Sequence, residues 1–308
     1  MLTAQSFRHG LSLSDRIHER IAESHMHWEP PEYDPDYDPD IEQEESRPRD
    51  PVVDQAKEEI RAFFREERAG VFYKQQLEVI FEDRYFHWVT SRALSELAAE
   101  GHIGVEREIL PGTGNITFYH AKTHRYWRRQ AQDVIALVAQ FSAPPFTAGL
   151  GAQGEMMFDA ALASVGFMPT ARKVRTYAGK AWAATEHDLD RVFERDGVAY
   201  GAEIKNTLKY ISRNELTVKL RMCKHLGLRP LFIVRMAPKS YINEVRLEDG
   251  FTLVFKFQLY PFGQKPFADT VRGALRLPVD CPARIADGTV QRFLKWHVGK
   301  LGDRGGAG

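Results

Sequence analysis

From Val52 onward, apolar residues recur at three- and four-residue intervals through VVDQAKEEIRAFFREER, KQQLEVIFE and FHWVTSRALSELAAEGHI. That spacing predicts a run of amphipathic helices. Thr90 or Ser91 is expected to cap the last of them, which carries Ala93, Leu94, Leu97 and Ala98 on one face. Gly101 suits its C-terminal stop, and Phe86 and Trp88 near its start are core candidates. The period then shortens to two at Ile103–Ile109 and Ile116–Tyr119, a strand pair joined by LPGTGN. HAKTHRYWRRQAQDVIALVAQFSA reads as one more helix, basic at its start, and APPFTAGLGAQ breaks it. A domain boundary is therefore expected at Ala143–Gln153.

Beyond that boundary, GEMMFDAALASVGF predicts a helix over 154–165, RKVRTYA a strand, NELTVKLRMCKHLGL a helix, and RPLFIVR and FTLVFKFQLYP further strands. Between the first strand and the helix lies HDLDRVFERDGVAYGAEIKN, residues 187–206. Asp196-Gly197 between two strand-like runs signals a two-residue type I′ hairpin. Such a turn pairs Arg195 with Val198, so facing positions sum to 393, Asp190 opposes Glu203 and Asp188 opposes Lys205. Alternation then puts these four charges on one face and Leu189, Phe193, Val198, Tyr200 and Ile204 on the other. Two carboxylates facing each other across strands repel. A hard divalent cation offsets that repulsion and takes one or two carboxylates plus waters. The plainer alternative is a wet ribbon face in which Asp188 partners Lys205 or stays solvated. Lys219 on the following helix could reach a phosphate, although a helix with Lys219, Arg221 and Lys224 reads as a solvated face.

Length and composition add a soft expectation of two domains: 308 residues, 43% hydrophobic and 11% aromatic. Lys+Arg and Asp+Glu balance at 42 each, but residues 29–50 hold ten acids and two arginines, leaving a remainder of about +8. A moderately basic body with an acidic, proline-rich tether fits a polyanion partner. The tether reads as an extended spacer, or as a nucleic-acid mimic that competes for the basic body. A short amphipathic helix is expected at 13–27. Cys223 and Cys281 form no CxxC and no zinc spacing, and no apolar run is long enough to span a bilayer, so a cytoplasmic protein with no membrane partner is expected.

Two resemblances sharpen this reading. ALSELAAEGHI, within a helix–helix–hairpin order, resembles the recognition helix and first wing strand of winged helix-turn-helix domains, which implies DNA binding through the second helix in the major groove. From Gly154 to Tyr260 the element order resembles the PD-(D/E)xK nuclease superfamily, with its restriction-endonuclease-like fold. Glu155 matches a helical glutamate of that family, Asp190 its metal-binding aspartate, and Glu203 and Lys205 its (D/E)xK positions, while Leu189 stands where the proline would be.

The resemblance implies an α/β fold: a mixed-sheet restriction-endonuclease-like core with helices on both faces, preceded by an α+β winged-helix domain. The expected segments are 1–51 (helix and acidic linker), 52–142 (winged helix-like) and 150–300 (nuclease-like). It further implies a Mg²⁺- or Mn²⁺-dependent DNA nuclease. Asp190, Glu203 and the Ile204 carbonyl would hold the metal, Glu155 would stand in its outer shell, and Lys205 would stabilise charge. Arg172, Lys173, Arg175 and Lys209 would touch the DNA backbone. A homodimer, or a partner protein of defence or repair, is compatible with this organisation. The rival expectations are a DNA-binding regulator with an inert nuclease-like domain and an RNA-processing nuclease.

Overall fold

The computed structural model describes residues 50–110 and 114–305, which belong to one compact unit. The expected helix at 13–27 and the acidic tether up to residue 49 lie outside the described residues. The first part comprises α1 (Pro51–Glu66), β1 (Val71–Tyr73), α2 (Lys74–Phe81), α3 (His87–Ala99), β2 (Ile103–Leu110) and β3 (Gly114–Ala121). Asp50 caps α1 by accepting the Val52 N–H at 2.9 Å, and proline occupies its first turn, where a missing N–H costs nothing. β3 lies between β1 and β2 and is antiparallel to both. Helix α3 starts earlier than expected: Phe86 precedes it, and Thr90 and Ser91 are buried inside it rather than capping it. Gly101 ends it with φ 78°, where a residue with a Cβ would be strained.

Helix α4 (Trp127–Ser142) follows, starting later than predicted because His120 and Ala121 complete β3. The segment expected to break the chain instead forms the first half of α5 (Pro144–Ala163), which starts on Pro144 and Pro145 and bends 55° from α4. Leu150 is buried there, and its carbonyl accepts from Asn206 Nδ2 at 2.7 Å. Burial and that bond hold the helix despite Gly149 and Gly151.

The second part is built on a five-stranded mixed sheet of order β10-β9-β8-β7-β4. It uses β4 (Met168–Val174), β7 (Leu189–Arg195), β8 (Val198–Lys205), β9 (Arg229–Val234) and β10 (Phe251–Val254). The short β5 (Thr176–Tyr177) and β6 (Lys180–Ala181) form a separate ribbon. β4, β7 and β8 run antiparallel, and β8, β9 and β10 run parallel. The two parallel steps cross over through α6 (Arg213–Leu226) and α7 (Lys239–Leu247). The predicted last strand divides: after β10 the chain leaves the sheet, and β11 (Gln258–Leu259) pairs instead with β12 (Val279–Asp280), the two flanking α8 (Lys265–Leu275). One face packs α5 and α9 (Asp287–Gly305) around Phe158, Phe167, Tyr200 and Phe293; the other packs α6 and α7. Among the described residues this is a mixed α/β architecture.

One apolar core crosses the predicted boundary, joining Tyr73, Ile116 and Phe118 to Tyr260, Val271 and Leu275. A buried bidentate ion pair also ties the halves, Arg235 to the Glu82 carboxylate at 2.7 and 2.5 Å. No single helix among the described residues is long and apolar enough to cross a membrane.

Candidate functional site

The hairpin that carries the candidate residues forms as its turn dictates. Asp196 and Gly197 both have positive φ (50° and 71°), and the strand pairs run from Arg195↔Val198 to Arg191↔Ala202, all summing to 393. There the ladder ends. Asp190 Oδ2 accepts the Ile204 N–H at 2.7 Å, so its carboxylate takes the place of a backbone acceptor.

The expected face assignment fails at this point. Leu189 packs with Val192, Met222 and Cys223 against α6, whereas Phe193, Tyr200 and Ile204 pack on the opposite face. Between the pairs Arg172↔Arg191 and Val174↔Leu189, Lys173 has φ 48°, in the left-handed region. Strict alternation is broken within β7 itself: Leu189 faces α6, whereas Arg191, two residues on, reaches Glu155 and Asp159 of α5.

Gly154 positions the helical member. A Cβ there would come within 2.6 Å of Asn206 Cβ, so glycine lets α5 close onto the end of β8. Glu155, next along, ion-pairs with Arg191 at 2.7 Å and adds negative charge at Asp190. Arg191 is 4% exposed and is also held by Asp159 at 3.0 Å.

Helix α6 closes the site from the other side. Ser212 caps it by accepting the Glu215 N–H at 3.2 Å, which fixes Glu215 and Lys219 one turn apart. Lys205 Nζ bridges Glu203 Oε1 at 2.8 Å and Glu215 Oε1 at 2.7 Å. Lys219, expected to be solvated, is buried: its ammonium lies 2.5 Å from Glu203 Oε2 and also bonds the Asp188 carbonyl. The Lys219 contact is an ion pair off the hydrogen-bonding line, so buried Oε2 retains an acceptor position without a donor. The expected Asp188–Lys205 partnership is replaced by Glu203 and Glu215.

The electrostatics follow from burial. Desolvation and the neighbouring Asp190 charge raise Glu203 to about 7, against opposition from Lys205 and Lys219. Burial also raises Asp190, opposed by the Ile204 N–H and both lysines. For Lys205, burial lowers the pKa, but Glu203 and Glu215 together outweigh it and raise it. Burial would raise Glu215, yet Lys205 outweighs it and holds Glu215 below its ordinary value. The cluster therefore holds one carboxylate poised near neutrality beside an ammonium that stays charged.

Asp190, Glu203, Lys205 and the Ile204 backbone thus lie together, with Glu155 beside them. The expected backbone-contact residues scatter into local pairs: Arg172 with Asp159 at 3.1 Å and Arg175 with Glu186 at 2.8 Å. Lys173 is exposed, and the Lys209 N–H bonds Thr207 Oγ1 at 3.2 Å. Sequence reasoning missed Glu215 and misplaced Lys219. The available signal was spacing: Lys219 falls between Leu216 and Cys223 on the buried stripe of α6.

The donor set suits a hard cation: Asp190, Glu203 and the Ile204 carbonyl offer only oxygen, and the Glu203 Oε2 that such an ion would use is held by Lys219 at 2.5 Å. Among the described residues no three His, Cys, Asp or Glu side chains gather as a self-sufficient metal site, so such an ion would need water or substrate ligands. Compared with known proteins, the chain matches no family model, no curated protein and no solved structure.

Proposed function

We propose that the chain is a metal-dependent DNA nuclease of the PD-(D/E)xK type. The observation that carries this reading is the convergence of Asp190 and Glu203 from adjacent strands, with Lys205 bound to Glu203 at 2.8 Å. The sheet supports it: helix α5, antiparallel β4, β7 and β8, crossover α6 and parallel β9 follow the order of that superfamily. The order α1-β1-α2-α3-β2-β3, with β3 central in its sheet, likewise supports a winged helix.

Asp190, Glu203 and the Ile204 carbonyl would hold Mg²⁺ or Mn²⁺. Such an ion supplies Lewis-acid polarisation of a phosphodiester oxygen and makes water more acidic. Lys205 stays protonated, so it acts as a fixed positive charge for the phosphate in the transition state rather than as a base. Glu203 can hold or release a proton near neutral pH. Glu155 and Asp159 orient Arg191 behind Asp190.

The test is incubation of the full chain with supercoiled, linear and single-stranded DNA and with RNA, with and without Mg²⁺ or Mn²⁺. Metal-dependent DNA cleavage is expected, with at least a ~10²-fold loss in Asp190→Ala and Lys205→Ala. Cleavage by Asp190→Ala within about tenfold of wild type overturns the assignment. Cleavage of RNA alone favours the RNA-processing reading. The inert-regulator reading draws on one observation, that Lys205 and Lys219 already neutralise Glu203; DNA binding without cleavage in any metal favours it.

A further inference from the structure

The geometry points to a nucleic-acid phosphate groove formed by α1 and the β3–α4 connection, rather than by the face of α3. The inference rests on the nuclease reading only in choosing nucleic acid among polyanions.

Helix α3 is poorly suited to phosphate. Arg92 is its one arginine or lysine, and it is tied to Glu96 at 3.3 Å; Glu96 and Glu100 are in turn bound by the buried Lys57. The exposed stretch of β2 alternates Glu106, Arg107 and Glu108.

The last turns of α1 differ. Arg61, Arg65 and Arg68 recur at helical spacing on one stripe, where like charges four residues apart cost stability. Lys122, His124 and Arg125, from a segment more than fifty residues away, converge on that stripe across a groove of about 750 Å³. No acidic side chain lines the groove. Arg65, Arg68, Lys122 and Arg125 are exposed. A cation at a helix C-terminus is ordinary by itself, because it meets the negative end of the dipole. Arg61 is already paired with Glu58 at 2.7 Å and His102 lies 3.6 Å from Glu100, but exposed Arg65, Arg68, Lys122 and Arg125 bring cations from two separate segments to one concave surface, which concentrates positive potential where a phosphate chain can lie. Guanidinium groups match phosphate oxygens in pairs, which favours this arginine-rich composition.

The experiment is fluorescence anisotropy of the full chain with a short labelled duplex and its single strand, in EDTA, across about 50 to 200 mM salt. Arg65→Ala/Arg68→Ala/Arg125→Ala is expected to weaken both complexes by at least about tenfold, and to flatten the duplex log–log salt slope by up to about 2.7. Arg172→Ala/Arg175→Ala, whose cations are already engaged with carboxylates, is expected to change the slope less. Wild-type affinity and slope in the triple variant overturn the inference, as does a wild type that binds phosphatidylserine vesicles but no nucleic acid. Cleavage is scored separately in Mg²⁺. A chain that binds through the groove and cuts nothing loses the nuclease reading and keeps this one. A chain that cuts while the triple variant binds normally does the reverse.

Discussion

The Lys219 ammonium lies 2.5 Å from Glu203 Oε2, with side chains only 5% and 2% exposed. Even so, burial and the Asp190 charge hold Glu203 near 7 against an ordinary 4.5. Between those values the native state binds more protons than the unfolded chain. The associated stability is fully present below about pH 4.5 and is lost as pH rises through about 7, a loss of about 3 kcal/mol. Asp190, also raised, contributes with the same sign. Denaturant unfolding in EDTA should show stability declining from about pH 5 to about pH 8. Glu203→Gln should match wild type at the acid end and lack most of the decline. A glutamine variant with the wild-type slope would assign the titration elsewhere.

Cation binding should displace the Glu203 proton. At pH 7, calorimetry with Mn²⁺ should release about half a proton per ion, so the apparent enthalpy varies with the ionisation enthalpy of the buffer. About two pH units higher the variation should vanish, because Glu203 is already ionised. Buffer-independent heats at pH 7 would mean that Glu203 is not a ligand.

The hairpin turn isolates a backbone effect. Gly197 has φ 71° and nothing lies within 4 Å of a Cβ built there. Gly197→Ala should therefore cost about 1 kcal/mol through left-handed strain alone and only partly reduce cation binding. Inserting a residue between Asp196 and Gly197 should instead shift the register and abolish Mn²⁺ affinity. Equal affinity in the insertion variant would place the ligands off this hairpin.

The Glu82–Arg235 pair should behave as a buried charge pair. Glu82→Ala strands a guanidinium that is 3% exposed and should cost about 3–5 kcal/mol. Glu82→Leu/Arg235→Met should recover most of that loss. Deleting residues 52–142 removes Glu82 and half of a shared core, so the remainder should show no cooperative unfolding transition. A cooperative transition in the truncated chain would show that the second part folds alone.

Turn chemistry made the hairpin's register legible from Arg195↔Val198 to Arg191↔Ala202, since Asp196-Gly197 admits one tight pairing; the expected pairs at Asp190 and Asp188 lie past the end of that ladder. The face of Leu189 was not legible, because alternation breaks where the β7–β8 ladder ends at Arg191, and no turn residue marks that point in the sequence. Helix α5 was under-read: its prolines and glycines signal a break locally, whereas the bond from Asn206 to the Leu150 carbonyl comes from 56 residues away. Lys219 looked wet because lysines on amphipathic helices usually are; only the assembled sheet reveals the carboxylate it meets. Asp190, Glu203 and Lys205 share one ribbon, so its turn alone suggests them together; Glu155 joined them only through the resemblance, because no local spacing brings α5 to the ribbon.

The Arg235–Glu82 clamp carries a geometric consequence. Two guanidinium hydrogen bonds to one carboxylate, set beside a continuous core, make the first part and the sheet part a caliper rather than beads on a string. Whatever is gripped by one jaw is presented to the other at a fixed offset. Under the proposed function, a strand held by the α1 groove would meet Asp190 and Glu203 at a constant number of nucleotides from its point of grip.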